Sequence, residues 1–241
     1  MYAMTLRSVF TGQSREWILE NSEEICGEIN LDWDLVECIV QACIANPDLL
    51  SARRAAAADS RRDILQKWLT KINNGYLNRP SQKTDTPMTT ISDPLIDIIF
   101  AEYDYENAED IRINHRNSMK VENTLGGLLE EYIHSNISGT SWRVAWGESV
   151  RAIDLVRSGD DDTFVLLQVK NKYNSENSSS VTVREGTSIE KWHRLNKDGS
   201  TGWAELCSNL GLEEDTMSEE QYRTWVRQQI SNNQEMISFE E

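Results

Sequence analysis

The sequence predicts an α/β protein of the α+β kind, with a mixed central sheet flanked by helices and an extra helical part at the N-terminus. Three observations predict it. Roughly the first 75 residues carry apolar side chains at helical spacing. From Trp142 the pattern shortens to that of consecutive strands. Beyond Thr187 helical spacing returns. Helices, a strand meander, a crossover to one more strand and then helices is the order of a two-layer fold built on a mixed sheet.

Each element has its own signal. REWILENSEEICGEI reads as a helix with Ser14 as N-cap, and DWDLVECIVQACIAN as another, capped by Asp32 or Asp34 and stopped before Pro47. DLLSARRAAAADSRRDILQKWLTKINNG is alanine-rich and basic, and reads as one long helix ending at Gly75. NRPSQKTDTPMTTISDP holds three of the four prolines and many small polar residues, the composition of a loop. It divides a helical part, 1–78, from residues 92–241 through a linker at 79–91. DPLIDIIFAEYDY has the pattern of a short amphipathic helix, and MKVENTLGGLLEEYIHSNI that of a stronger one. Gly126 and Gly127 lower helix propensity in that segment, and the expected return is close packing against the sheet. WRVAWGES, VRAIDLVRS and TFVLLQVKNKY read as strands, with GDDDT as a hairpin turn. SSSVTVRE is a further short strand. TSIEKWHRLN, TGWAELCSNLG and SEEQYRTWVRQQI read as helices, the first capped by Thr187 with Glu190 completing a capping box, the last capped by Ser218.

Composition narrows the class. Of 241 residues, 39% are hydrophobic and eight are Trp, enough for a packed core and unlike a disordered chain. No apolar run approaches a membrane span, and MYAMTLRSVF lacks the apolar segment of a signal peptide. Cys26, Cys38, Cys43 and Cys207 form no CxxC pair, so the expectation is reduced core thiols in a cytoplasmic protein, without zinc. The formal net charge of -16 argues against a nucleic-acid partner when averaged over the chain. Its distribution argues otherwise. Arg53, Arg54, Arg61, Arg62, Lys67, Lys71, Arg79 and Lys83 are opposed only by Asp59 and Asp63, and bases again outnumber acids between Lys170 and Lys197. Such a chain suits a basic cleft with a solvated acidic back, although a basic run can equally be the solvated face of a helix.

Chemistry gathers in AIDLVRSGDDDTFVLLQVKNK. Gln168 and Lys170 sit two apart on one strand and so point to one face. If that strand pairs with its neighbour around GDDDT, Asp154 converges on them. A carboxylate at that place can hold a divalent cation, the Val169 carbonyl offers another oxygen, and a lysine can orient a water or offset phosphate charge. Glu130 and Glu131 on the preceding helix, and Glu148 ahead of the strand, are further candidates. Taken singly, Asp154 can be a turn cap, Gln168 an edge-strand polar residue and Lys170 a solvated strand end. His115, His134 and His193 are isolated and read as structural or surface residues.

A helix with Glu130 in GGLLEEYI, a strand with Asp154 in AIDLV, and Gln168 and Lys170 in LLQVK together resemble the PD-(D/E)xK nuclease core. TVREGTSIEKWHRL, through Arg184, Glu190, Lys191 and Trp192, is similar to the basic-Trp stretch that follows in related restriction enzymes. From about Asn117 to Gly202 the chain resembles a type II restriction endonuclease, and within that group the SinI family, which cleaves GGWCC. The resemblance implies a Mg2+-dependent, site-specific double-strand DNA endonuclease leaving 5′-phosphate ends. It implies metal held by Asp154, Gln168, the Val169 main-chain carbonyl and Glu130, with Lys170 positioning the attacking water. It implies a homodimer on a near-palindromic site and a cognate DNA methyltransferase in the same system, a functional and not a physical partner. Arg184, Lys191, Arg194, Asn171 and Lys172 are expected to contact DNA, because arginine's fork suits guanine and lysine suits phosphate. Arg53, Arg54, Arg61 and Arg62 are expected backbone contacts or dimer neighbours. Two departures matter. Ile153 stands where the pattern has proline, and Gln168 where it has an acid. A hard cation prefers charged oxygen, so either Glu130 or Glu148 compensates, or the protein binds DNA without cutting it well. A nuclease of the same fold with a repair or defence role and little sequence specificity, or a helical scaffold that ignores DNA, are the other readings.

Overall fold

The computed structural model describes residues 4–84, 107–160, 163–172 and 188–239. Four helices open the chain: α1 (Leu6–Gly12), α2 (Arg15–Glu28), α3 (Trp33–Ala45) and α4 (Arg61–Leu77). Ser14 and Asp32 cap α2 and α3 through side-chain oxygens that accept from Trp17 and Asp34 amides. The long helix expected from Asp48 is shorter. Residues 51–60 are not helical, and α4 begins only after Ser60, whose hydroxyl and the Asp63 carboxylate form a capping box. That local hydrogen bonding outweighs the helix propensity of the alanine run.

Helix α5 (Ala108–Asn136) is the spine of the molecule, 29 residues long and so about 43 Å. The sheet follows: β1 (Trp142–Val144), β2 (Leu155–Ser158), β3 (Phe164–Lys172) and β4 (Ile189–Leu195), in that spatial order. β1, β2 and β3 form an antiparallel meander, with Leu155 opposite Leu167. β4 runs parallel to β3, with Gln168 opposite Lys191 and Lys170 opposite His193. β3 is one of the two inner strands and is buried continuously from Leu166 to Val169. Helices α6 (Trp203–Leu210) and α7 (Glu219–Asn232, capped by Ser218) close the fold.

The segment IEKWHRL is therefore a strand and not a helix. Ile189 and Trp192 are buried, and Trp192 donates its indole N–H to the Gly202 carbonyl at 2.8 Å. Pairing with the open edge of β3 satisfies a whole ladder of backbone groups, more than one capping box offers. Thr187 lies outside the described residues, as do the helix expected at DPLIDIIFAEYDY, the strand expected at SSSVTVRE and most of the linker.

The two glycines of α5 behave differently from expectation. A Cβ on Gly127 would stand 2.6 Å from the Pro80 ring, so it admits the start of the linker and not the sheet. A Cβ on Gly126 would meet nothing within 4 Å, and that residue lines the cavity described below. On the opposite side of α5, Tyr132 packs against Trp203, Tyr222 and Trp225 with ring centroids 5.2–5.6 Å apart, fixing α6 and α7. One hydrophobic core runs from Phe10 on α1 through Ile39, Leu69 and Ile133 to Leu167 and Tyr222, so the N-terminal helices share the core of the sheet. No described helix is long and apolar enough to cross a membrane, and all four cysteines are free thiols.

Candidate active site

Asp154 stands one residue ahead of β2, tied to strands on both sides. Its amide donates to the Leu167 carbonyl at 3.0 Å and its carbonyl accepts from the Ala145 amide at 2.9 Å. Its carboxylate Oδ2 accepts the Val169 amide at 2.7 Å. The residue is thus welded into the meander, and it lines a cavity of about 600 Å3 together with Glu130, Glu148, Gln168 and Lys170. Gln168 is 3% exposed. The hairpin turn places these groups at one end of the sheet, and α5 brings Glu130 across to them.

The electrostatics describe a crowded acidic floor. Glu130 is pushed up from 4.5 to about 8, first by burial, then by the charge of Asp154, with Lys170 pulling the other way and Glu148 adding to the rise. Asp154 is pushed up from 3.8 to about 6, mainly by burial, while the Val169 amide and Lys170 favour its ionised form. Carboxylates held this far above their ordinary range are short of positive charge, the condition a divalent cation relieves. Among the described residues no three His, Cys, Asp or Glu side chains are already drawn together as a closed metal cage. The fit therefore rests on two carboxylates, an amide oxygen and a main-chain carbonyl, a hard oxygen set suited to Mg2+.

The structure separates the acids that sequence left open. Glu131 turns away from the cavity. It is buried, accepts from Arg79 Nε and the Ser81 amide at 3.1 Å each, bonds the Ser81 hydroxyl, and so pins the start of the linker. Glu148 does line the cavity. It belongs to a tight turn in which Gly147 and Glu148 are both left-handed, with φ of 74° and 50°. Helix α4 holds that turn. Lys71 Nζ donates to the Glu148 carbonyl at 2.8 Å and Trp68 Nε1 to the Ser149 carbonyl at 3.0 Å. A Cβ on Gly75 would lie 2.4 Å from the Gly147 nitrogen, so glycine at 75 is what lets helix and turn touch.

The expected DNA contacts divide likewise. Lys191 is exposed and sits opposite Gln168 across the parallel pair, but it does not line the cavity. Asn171 and Lys172 line the cavity mouth. Lys172 bridges to Glu122 of α5 at 2.6 Å, and Asn171 accepts from Arg194 Nε at 2.7 Å. Arg194 is engaged within the fold: its guanidinium meets both Glu219 oxygens at 2.7 Å and lies over the Tyr222 ring. Arg62 pairs with Glu28 at 2.7 Å, whereas Arg53, Arg54 and Arg61 are exposed. Arg184 lies outside the described residues. Sequence reasoning missed Arg151, which lines the same cavity. Nothing in VRAIDLV marks it, because it lies in the turn ahead of the strand.

Residues 20–232 match the family model described as SinI restriction endonuclease. The chain is also 35% identical to the type II restriction enzyme Eco47I of Escherichia coli over 147 residues, 59% of this chain and 63% of that protein. It is 35% identical to the type II restriction enzyme SinI of Salmonella infantis over 149 residues, 60% of this chain and 64% of that protein. The matched segment spans less than two thirds of either relative.

Proposed function

The chain belongs to the SinI restriction endonuclease family, and from that we propose that it hydrolyses double-stranded DNA at a fixed sequence in a Mg2+-dependent reaction, with GGWCC as the target. The observation that carries the reading is the shared cavity of Glu130, Asp154, Gln168 and Lys170, with Asp154 locked to β3 through the Val169 amide. Two relatives named as type II restriction enzymes support it.

Each residue has a part. Asp154 and Glu130 supply the charge that holds the cation, and Gln168 and the Val169 carbonyl supply neutral oxygens. An extended residue sends its N–H and C=O to the same side, so the Val169 carbonyl lies on the side of Asp154, whose carboxylate accepts the Val169 amide. A Mg2+ ion held by these groups would supply Lewis-acid stabilisation of the charge that develops at the phosphate. Lys170 orients a water for in-line attack on phosphorus, the bond to the 3′ oxygen breaks, and a 5′ phosphate remains. Buried Gln168 and partly buried Glu130 keep the floor of the cavity short of bulk water. Arg184 and Lys191 read or hold the DNA, and Asn171, Lys172 and Arg194 shape the exit of β3 beside it. The exposed Arg53, Arg54 and Arg61, with Arg62 beside them, meet the DNA backbone or a second subunit. A near-palindromic target calls for a homodimer with one site per strand, and a cell that makes such an enzyme needs a cognate DNA methyltransferase.

The test is digestion of a long DNA of known sequence, with and without Mg2+, by the wild type and Asp154→Ala. Discrete Mg2+-dependent fragments that vanish in the variant establish the nuclease, and their ends give the site. A second reading rests on Gln168 at the acid position: DNA bound but not cut. Binding by the wild type without any cleavage decides for it, and cleavage without fixed ends decides for an unspecific nuclease.

A further inference from the structure

The cavity of the candidate site has bases beside its acids, and Arg151 is one that is uncommitted among the described residues. Arg151 lines the cavity with Lys170 and Lys172. Lys172 is engaged by Glu122. The Arg151 guanidinium has no hydrogen bond or ion pair among the described residues, although it shares the cavity with Glu130, Asp154 and Glu148. Its backbone, in contrast, is fixed. The Arg151 amide donates to the Leu49 carbonyl at 2.9 Å, and the next residue, Ala152, is left-handed with φ of 59°. A left-handed alanine is costly and persists only where its surroundings determine it. The flanking residues Val150 and Ile153 are both buried, so the turn is anchored on either side while Arg151 itself stays exposed. A pinned backbone bearing a free guanidinium, next to carboxylates it does not pair with, is a pre-placed anion contact.

We propose that Arg151 holds a phosphate of the DNA strand lying over the cavity, as a sequence-independent positioning contact. This deepens the nuclease reading above and rests on it. The phosphate is the only anion that a DNA backbone presents to such a cation, and arginine's planar fork matches its oxygens. The contact also links the N-terminal helical part to the substrate, since Leu49 of that part holds the turn in place.

The experiment is fluorescence anisotropy of duplex DNA with the full chain in EDTA, between 50 and 200 mM salt, for wild type, Arg151→Ala and Arg151→Lys, with thermal melts of all three. One lost phosphate contact lowers the slope of log affinity against log salt by about 0.9. Arg151→Ala is expected to show that drop and a several-fold weaker Kd, equal on GGWCC-containing and scrambled duplexes, at an unchanged Tm. Arg151→Lys is expected to keep the slope. A wild-type slope and Kd in Arg151→Ala overturn this inference alone. A loss confined to the GGWCC duplex also overturns it, since the contact then reads bases. Absence of DNA binding by the wild type overturns the nuclease reading and this inference together.

Discussion

At the scale of single residues, the site is built on charges that the fold disfavours. Glu130 and Asp154 keep their protons to about pH 8 and 6, where the unfolded chain has released them near 4.5 and 3.8. The native state then binds more protons than the unfolded state, so stability falls as pH rises through those windows. Metal-free protein is expected to melt lower at pH 8 than at pH 5. Glu130→Gln, which removes the group with the wider window, is expected to melt higher than wild type at pH 8, by of order 1 kcal/mol or more, and no higher at pH 4.5. The same variant is expected to lose cleavage. Melting curves in EDTA across that range check the sign, and an unchanged pH slope in the variant contradicts it. The residues that make this tension were legible in the sequence. Gln168 and Lys170 were marked by their spacing, since alternation on a strand is a local property, Asp154 followed only from pairing around GDDDT, and Glu130 was one of three acids left open. Arg151 was not marked, because a turn residue is aimed by backbone angles that no periodicity records. Arg194 was legible as a base but not as a partner of Glu219, a contact between elements far apart in sequence.

At the scale of elements, α5 carries two adjacent glycines with opposite duties. Gly126→Ala adds a methyl group into open space and gains helix propensity, so it is expected to stabilise the protein by up to about 1 kcal/mol. Gly127→Ala drives a methyl group into the Pro80 ring and is expected to destabilise it by about 1–3 kcal/mol. Thermal or urea melts of the two variants separate the cases, and equal shifts of one sign contradict the assignment. Periodicity placed α2, α3, α5, α6 and α7 and the meander of three strands, because each of these buries one face set by its own repeat. It misplaced two segments for the same reason. The alanine run at 55–58 has propensity without a face to bury, and Ser60 cuts it off. IEKWHRL has a helix-like pattern, yet the unpaired edge of β3 recruits it as a strand. A sheet edge is a demand from outside the segment, and no window of sequence contains it.

At the scale of the whole molecule, the N-terminal helices are part of the site's foundation. Composition divides the chain at 79–91, where prolines cluster. The packing joins what composition divides: α3 lies on β1 and β2, and α4 grips the turn of Glu148. A fragment of residues 79–241 loses Trp68, Leu69 and Ile72 from that shared core. It is expected to be partly folded, with helix content by far-UV circular dichroism but no fixed near-UV signal from its tryptophans. A fragment with native near-UV signal and the melting point of the full chain contradicts that expectation.

The order of the strands carries a consequence in time. β2 and β3 meet through a short turn, and Leu155 finds Leu167 after closing a small loop. β4 must travel farther along the chain before Ile189 reaches Leu166, and parallel pairs are slow to form because loop closure precedes any reward. The hairpin is therefore expected to bring Asp154, Gln168 and Lys170 together early, and the row containing Lys191 is expected to join late. Pulsed amide-exchange labelling during refolding is expected to protect β2 and β3 before β4, and protection of β4 first, or of all three together, contradicts that order.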